Sequence, residues 1–163
     1  MTQAPGTRPL RLPLLVLTGP FPVMARLAEE AAAHDIRVFA HSAVGGIPHC
    51  LCCAGESETT RQLEMLLRDI DNGRSAAPAA ILLAIGEAEK AYTSLATIEA
   101  HPYFRLRFEP LRLIALGDGE GDHSLPADAG IAAMLSAIRA PAPERSAKLR
   151  ERLYRLRLGA HRR

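Results

Sequence analysis

The chain has no tryptophan, and only three tyrosines and four phenylalanines among 163 residues. A core built on aromatic rings is therefore excluded, and Leu, Ile, Val and Ala must fill it, in helices packed on strands. Neither sign of charge dominates: 20 Lys and Arg face 18 Asp and Glu, a formal net charge of +2, too small to define a nucleic-acid binder. No apolar run approaches the roughly 20 residues that a membrane-spanning helix needs. Leu12 to Thr18 is too short for a signal-peptide core with a convincing cleavage site after it. Cysteine is scarce as well. All three lie in Cys50-Leu51-Cys52-Cys53, and an odd, crowded set of thiols speaks against a secreted disulfide framework and for a reducing compartment. The expected location is cytoplasmic.

What is present alternates. Leu12 to Thr18 reads as a buried parallel strand, apolar on both faces. Gly19-Pro20-Phe21-Pro22 turns the chain into a helix over Val23 to His34, where Pro22 suits the first turn because the N–H it lacks would be unpaired there anyway. Ile36 to Ala40 is a second strand. Ser42 to Gly55 carries Gly45, Gly46, Pro48 and the cysteines and reads as a loop. A helix beginning near Glu56 aligns Leu63, Leu66, Leu67 and Ile70 on one stripe and stops at Asn72-Gly73. Ala79 to Ile85 is a third strand, Glu87 to Ala100 a helix, Leu111 to Leu116 a fourth strand and Asp128 to Arg139 a helix. Beyond Pro141 and Pro143, Leu149, Leu153 and Leu156 share the face of a last helix. The pattern predicts a three-layer α/β/α sandwich with a mostly parallel sheet. Residues 1–140 form the main unit, and residues 141–163 a basic amphipathic C-terminal helix or tail.

The order of these segments carries a resemblance. The strand Leu14-Leu15-Val16-Leu17-Thr18-Gly19, the motif His49-Cys50-Leu51-Cys52-Cys53, then Leu66-Leu67-Arg68-Asp69 and Ala80-Ile81-Leu82-Leu83 follow one another. After them come Leu95-Ala96-Thr97-Ile98-Glu99-Ala100-His101-Pro102 and Leu111 to Asp118. From Leu12 to Asp118 the chain resembles the N-terminal domain of the CobW-type GTPases, the group with HypB- and UreG-like members, and Cys-X-Cys-Cys is its most specific element. The resemblance implies a P-loop NTPase-like fold and a metallochaperone-like role, with zinc or cobalt at the cysteine motif.

The nucleotide machinery of that family has no counterpart here. A phosphate loop needs successive glycine amides, a Lys, and a Ser or Thr for magnesium. This chain has Gly19-Pro20-Phe21-Pro22-Val23-Met24-Ala25, with Arg26 the nearest cation. The third strand runs into Leu83-Ala84-Ile85-Gly86 instead of an acid and a Thr-Thr-Gly turn. No Asn-Lys-X-Asp motif follows Asp118. The expectation is a pseudo-GTPase that binds no nucleotide and is not an enzyme, since positioning and magnesium do nearly all the work of phosphoryl transfer.

Cys50, Cys52 and Cys53 are then the candidate metal ligands, with His49, or else His41, in a fourth position, and zinc is the default metal for such a donor set. Buried inert thiols are the plainer alternative. A redox role ranks third, because no Cys-X-X-Cys is present. His34 suits a helix C-terminus, and His101 and His123 fall in connecting segments. Glu87, Glu89 and Lys90 read as the polar start of a helix. The arginines after Glu144 lack the interleaved aromatics of a single-strand binder. Nucleic acid is not expected as a partner on that ground, and the final helix is expected to pack its leucines on the sheet or on a partner protein. Two other functions remain open: a metal-free interaction module, and a weak residual GTP binder.

Overall fold

The computed structural model describes residues 11–41, 58–141 and 144–160. The order is β1 (Leu14–Thr18), α1 (Phe21–Ala32), β2 (Ile36–His41), α2 (Glu58–Asp71), β3 (Ala80–Ile85), α3 (Ala88–Ala100), α4 (Pro102–Arg107), β4 (Arg112–Leu116), β5 (His123–Leu125), α5 (Ile131–Arg139) and α6 (Ala147–Ala160). The five strands form one sheet in the order β2-β3-β1-β4-β5, and every pairing is parallel. This is neither of the two common doubly wound orders, 3-2-1-4-5-6 and 2-1-3-4-5.

The apolar runs become the central strands because parallel strands covered on both faces need apolar side chains at every position. Leu14 to Leu17, Ile81 to Leu83 and Leu113 to Leu116 are all buried. Val38 is only partly buried, since β2 lies at the edge of the sheet. Right-handed crossovers that leave β1 toward one edge and β3 toward the other put their helices on opposite faces. One core joins Leu15, Leu17 and Leu82 to Met24 and Leu27 of α1 and Met134 of α5. The other joins Val16, Leu83 and Leu113 to Leu67 of α2, Leu95 of α3, Phe104 of α4 and Leu149 of α6. The layers are therefore α1 and α5, the sheet, then α2, α3, α4 and α6.

Local signals end the elements. Asn72-Gly73 stops α2 with Gly73 at φ +67. The Gly73 N–H donates to Ile70 O at 3.0 Å and the Arg74 N–H to Asp69 O at 2.8 Å, which satisfies carbonyls that the helix end would leave free. Two elements go beyond the sequence reading. Residues 102–107 coil into α4 after Pro102, which takes the first helical position. Residues 123–125 add β5, although parallel neighbours usually need a longer crossover. Gly121 makes the short return possible, because a Cβ there would stand 2.7 Å from Leu113 O. Asp122 then locks it: its N–H donates to Leu113 O at 2.7 Å, and its Oδ2 accepts the Leu113 N–H at 2.8 Å.

Candidate functional site

In an open parallel sheet the expected binding crevice lies beyond the C-terminal ends of two neighbouring strands whose helices leave to opposite faces. Here those strands are β1 and β3. The β1–α1 turn at that crevice is tightly drawn. Gly19 has φ +156, and a Cβ on it would stand 2.7 Å from Leu116 Cβ. Pro20 caps α1 in extended conformation with no side-chain cap. The Val23 and Met24 N–H groups both donate to Pro20 O at 3.1 Å. Pro22 has no N–H to offer. Of the first three helical positions only Phe21 keeps an amide not engaged by the turn, so the usual anion-binding cluster of helix N-terminal amides is nearly spent. Across the crevice, Met24 Cε lies 3.5 Å from where a Cβ on Gly86 would be. A buried thioether therefore borders the end of β3.

The other sequence candidates fall as follows. Cys50, Cys52, Cys53 and His49 lie outside the described residues, between the C-terminal end of β2 and the start of α2. His41 ends β2, with its backbone paired to Ile85. His34 is exposed beyond the end of α1. His101 is not in a free loop: it joins α3 to α4, stacks on Phe104 with ring centroids 4.2 Å apart, and sets Nε2 3.6 Å from Glu64 Oε1. His123 belongs to β5, where burial, reinforced by Arg112 and opposed by Asp122, lowers its pKa. Glu87 is the N-cap residue of α3 and receives Lys90 Nζ at 2.7 Å. Among the described residues no three His, Cys, Asp or Glu side chains converge as a metal site.

The opposite, N-terminal edge of the sheet holds a charged cluster that the sequence reading did not assemble. Arg145 Nε donates to Asp122 Oδ1 at 2.8 Å, its Nη2 to Leu111 O at 3.0 Å, and its Nη1 meets Glu99 Oε1 at 2.7 Å. The Asp122 side chain is 4% exposed and that of Glu99 13%. Burial works against the Arg145 charge, but hydrogen bonds and attraction from Asp122 and Glu99 outweigh it and raise its pKa. Arg157 also pairs with Glu99.

This cluster anchors α6. Ser146 Oγ accepts the Leu149 N–H at 3.1 Å as an N-cap and donates to Glu120 Oε1 at 3.0 Å. Arg152 pairs with Glu89 and lies 4.6 Å from the Tyr92 ring centre, while Leu149 and Leu153 enter the core. The leucine face of the last helix is thus buried on the body of the protein. Its basic residues are largely paired, Arg150 with Glu144 and Arg155 with Glu151 included. The only sequence signal for the cluster was the arginine crowding itself, because each acidic partner comes from a distant segment.

The architecture is that of a parallel, three-layer α/β sandwich, and among the described residues no helix is long and apolar enough to cross a membrane. Comparisons with models of known protein families, with curated proteins and with solved structures return no match.

Proposed function

We propose that the chain is a CobW-type P-loop domain that no longer binds nucleotide and acts as a small zinc-binding accessory protein in metal homeostasis. The observation that carries the reading is the β1–α1 turn. Two prolines stand where donor amides are needed, and the Val23 and Met24 amides already donate to Pro20 O. With no Lys, Ser or Thr at the start of α1, a triphosphate and its magnesium have little to hold them. Three thiols and an imidazole in Cys50, Cys52, Cys53 and His49 are a donor set suited to zinc, and Cys-X-Cys-Cys is the most specific part of the CobW-type resemblance. Zinc binding needs deprotonated thiols, so affinity falls as pH falls.

A metal-free interaction module is the second reading. It is favoured by the outer face of α6, where Tyr154 and Leu158 are 62% and 43% exposed while the inner face is already buried, so a partner protein would meet that outer face. One preparation titrated with zinc against a chromogenic chelator, and with a fluorescent GTP analogue plus magnesium, separates the possibilities. Zinc retention that is lost in Cys52→Ser, with no GTP binding, supports the zinc reading. Equal retention in wild type and Cys52→Ser overturns it in favour of the interaction module. Micromolar GTP binding overturns both and makes the protein a residual GTP binder.

A further inference from the structure

We propose that the free lateral edge of β2 pairs antiparallel with β2 of a second copy of this chain, so that two sheets join about a twofold axis. The proposal is independent of the zinc reading, because it uses the backbone of β2 and no cysteine. The two lateral edges of the sheet differ. The β5 edge is three residues long, and a very short edge strand is one way in which proteins avoid edge-to-edge pairing. The β2 edge has six residues, with no proline or lysine among them. Its register with β3 runs unbroken from Ile36 to His41, so no bulge blunts it. Among the described residues no strand lies on its outer side.

The hydrogen bonds of β3 show which groups of β2 are left over. The Ile81 N–H donates to Pro13 O at 2.9 Å, so Ile81 and Leu83 serve β1, while Ala80, Leu82 and Ala84 serve β2. In the observed register these three bond Arg37, Phe39 and His41. The Ala79 N–H, donating to Asp35 O at 2.9 Å, keeps the same alternation. Ile36, Val38 and Ala40 therefore turn their N–H and C=O groups outward, where among the described residues nothing receives them.

That row complements itself. With Val38 opposite Val38 of the second copy, Ile36 stands opposite Ala40 on either side, and all the outward groups of both strands exchange hydrogen bonds. Any other antiparallel register leaves at least one pair unmade, and the neighbouring one, with Ile36 opposite Val38, sets Arg37 against Arg37. In the favoured register Arg37 is opposite Phe39. Arg37 is exposed, has no ion pair among the described residues, and already lies 5.9 Å from its own Phe39 ring centre, so a cation–aromatic pair across the junction is within its reach. Beside the strand runs a groove of about 900 Å³, bordered by Asp35 and by Met65, Leu66 and Asp69 of α2. Met65 is 58% exposed, a large apolar side chain next to a bare strand edge. Asp35 and Asp69 with Arg37 place both signs of charge on this flank, so two copies do not meet as like charges. Register and charge both select a second β2 as the occupant.

The test uses the full chain with a reductant and a zinc chelator present, so that neither a disulfide nor a shared metal links two copies. Sedimentation equilibrium should show reversible dimers. As they form, exchange followed by NMR should slow at the Ile36, Val38 and Ala40 amides, while the Arg37 and Phe39 amides, bonded to β3 in either state, stay protected throughout. Val38→Pro removes the central pair of bonds and none to β3, and should weaken the dimer about tenfold. Arg37→Glu leaves the whole backbone in place, and so serves even if the proline variant does not fold. It makes the flank wholly acidic and should weaken the dimer several-fold, whereas Tyr154→Ser on the outer face of α6 should leave it unchanged. A monomer at every concentration, slow exchange at those three amides in the monomer, or a dimer that survives both β2 substitutions and is lost in Tyr154→Ser would overturn the proposal.

Discussion

At the C-terminal edge of the sheet the chain meets its polar needs inside the backbone. Pro20 O takes two amides, Pro22 contributes none, and Met24 borders the end of β3. At the N-terminal edge the polar groups are charged side chains gathered from the β4–β5 return, α3 and the approach to α6, with Arg145 joining Asp122 and Glu99. The first edge is where an α/β sheet ordinarily holds a ligand, and among the described residues its β1–α1 turn is tightened by a glycine and two prolines, with a methionine beside the end of β3. The second ordinarily serves stability alone, and here it holds a buried charge network. Sheet topology tells where a site is expected, but the supply of unspent donors decides whether one is there.

The largest effect should come from the N-terminal edge. Arg145→Met leaves Asp122 and Glu99 without their main partner and should cost about 3 kcal/mol, because a buried carboxylate that loses its cation keeps its desolvation penalty. Urea denaturation at neutral pH measures it, and a loss within error of zero would mean that water replaces the guanidinium at no cost. On the C-terminal side, Gly19→Ala sets a methyl group 2.7 Å from Leu116 Cβ at a φ of +156. The expected loss is about 2 kcal/mol from overpacking and backbone strain. If Gly19→Ala proves the more damaging of the two, the closed turn matters more to stability than the charge network.

Ser146→Ala removes the N-cap of α6 and should cost about 1 kcal/mol. A matching rise in hydrogen exchange confined to the first turn of α6 would separate loss of the cap from general loosening. The smallest effect is expected at the Asp71–Arg107 fork, with oxygen–nitrogen distances of 2.6 and 2.7 Å. The hydrogen bond from Arg107 lowers the Asp71 pKa, and attraction to the same guanidinium adds to it, against burial. A carboxyl whose folded pKa is lowered contributes stability above its ordinary range and loses it as pH falls through the lowered value. The stability gap between wild type and Asp71→Asn should accordingly be complete at neutral pH and close only in acid below the ordinary carboxylate range. The Asp71 side chain is 47% exposed, so solvent screening keeps the gap small.

The strands were legible in the sequence because a short, continuous apolar run has few homes other than the middle of a parallel sheet. Leu14 to Leu17, Ile81 to Leu83 and Leu113 to Leu116 all took that place. The stop at Asn72-Gly73 was legible too, since a residue at φ +67 calls for glycine. By contrast, α4 is too short to show a helical period. The strand β5 is defined by Gly121 and Asp122 meeting β4, a tertiary event with no periodic trace. At the candidate site, the prolines after Gly19 could be read directly, because a missing N–H is a property of the residue itself. The Arg145 cluster could not, because Arg145 is 23 residues from Asp122 and looked like one more arginine in a basic stretch.

The short return at Gly121 also sets an order of assembly. Leu113 and Asp122 are 9 residues apart, so closing β5 onto β4 costs little chain entropy, and the pair can form while the rest of the chain is still searching. Joining β1 to β3 requires Leu14 to find Ile81 across α1, β2, α2 and the cysteine segment, a far larger loop. The β4–β5 edge is thus expected to reach its native register early and the centre of the sheet late. In kinetic terms, Gly121→Ala should slow folding more than it speeds unfolding, while Leu82→Ala should do the reverse.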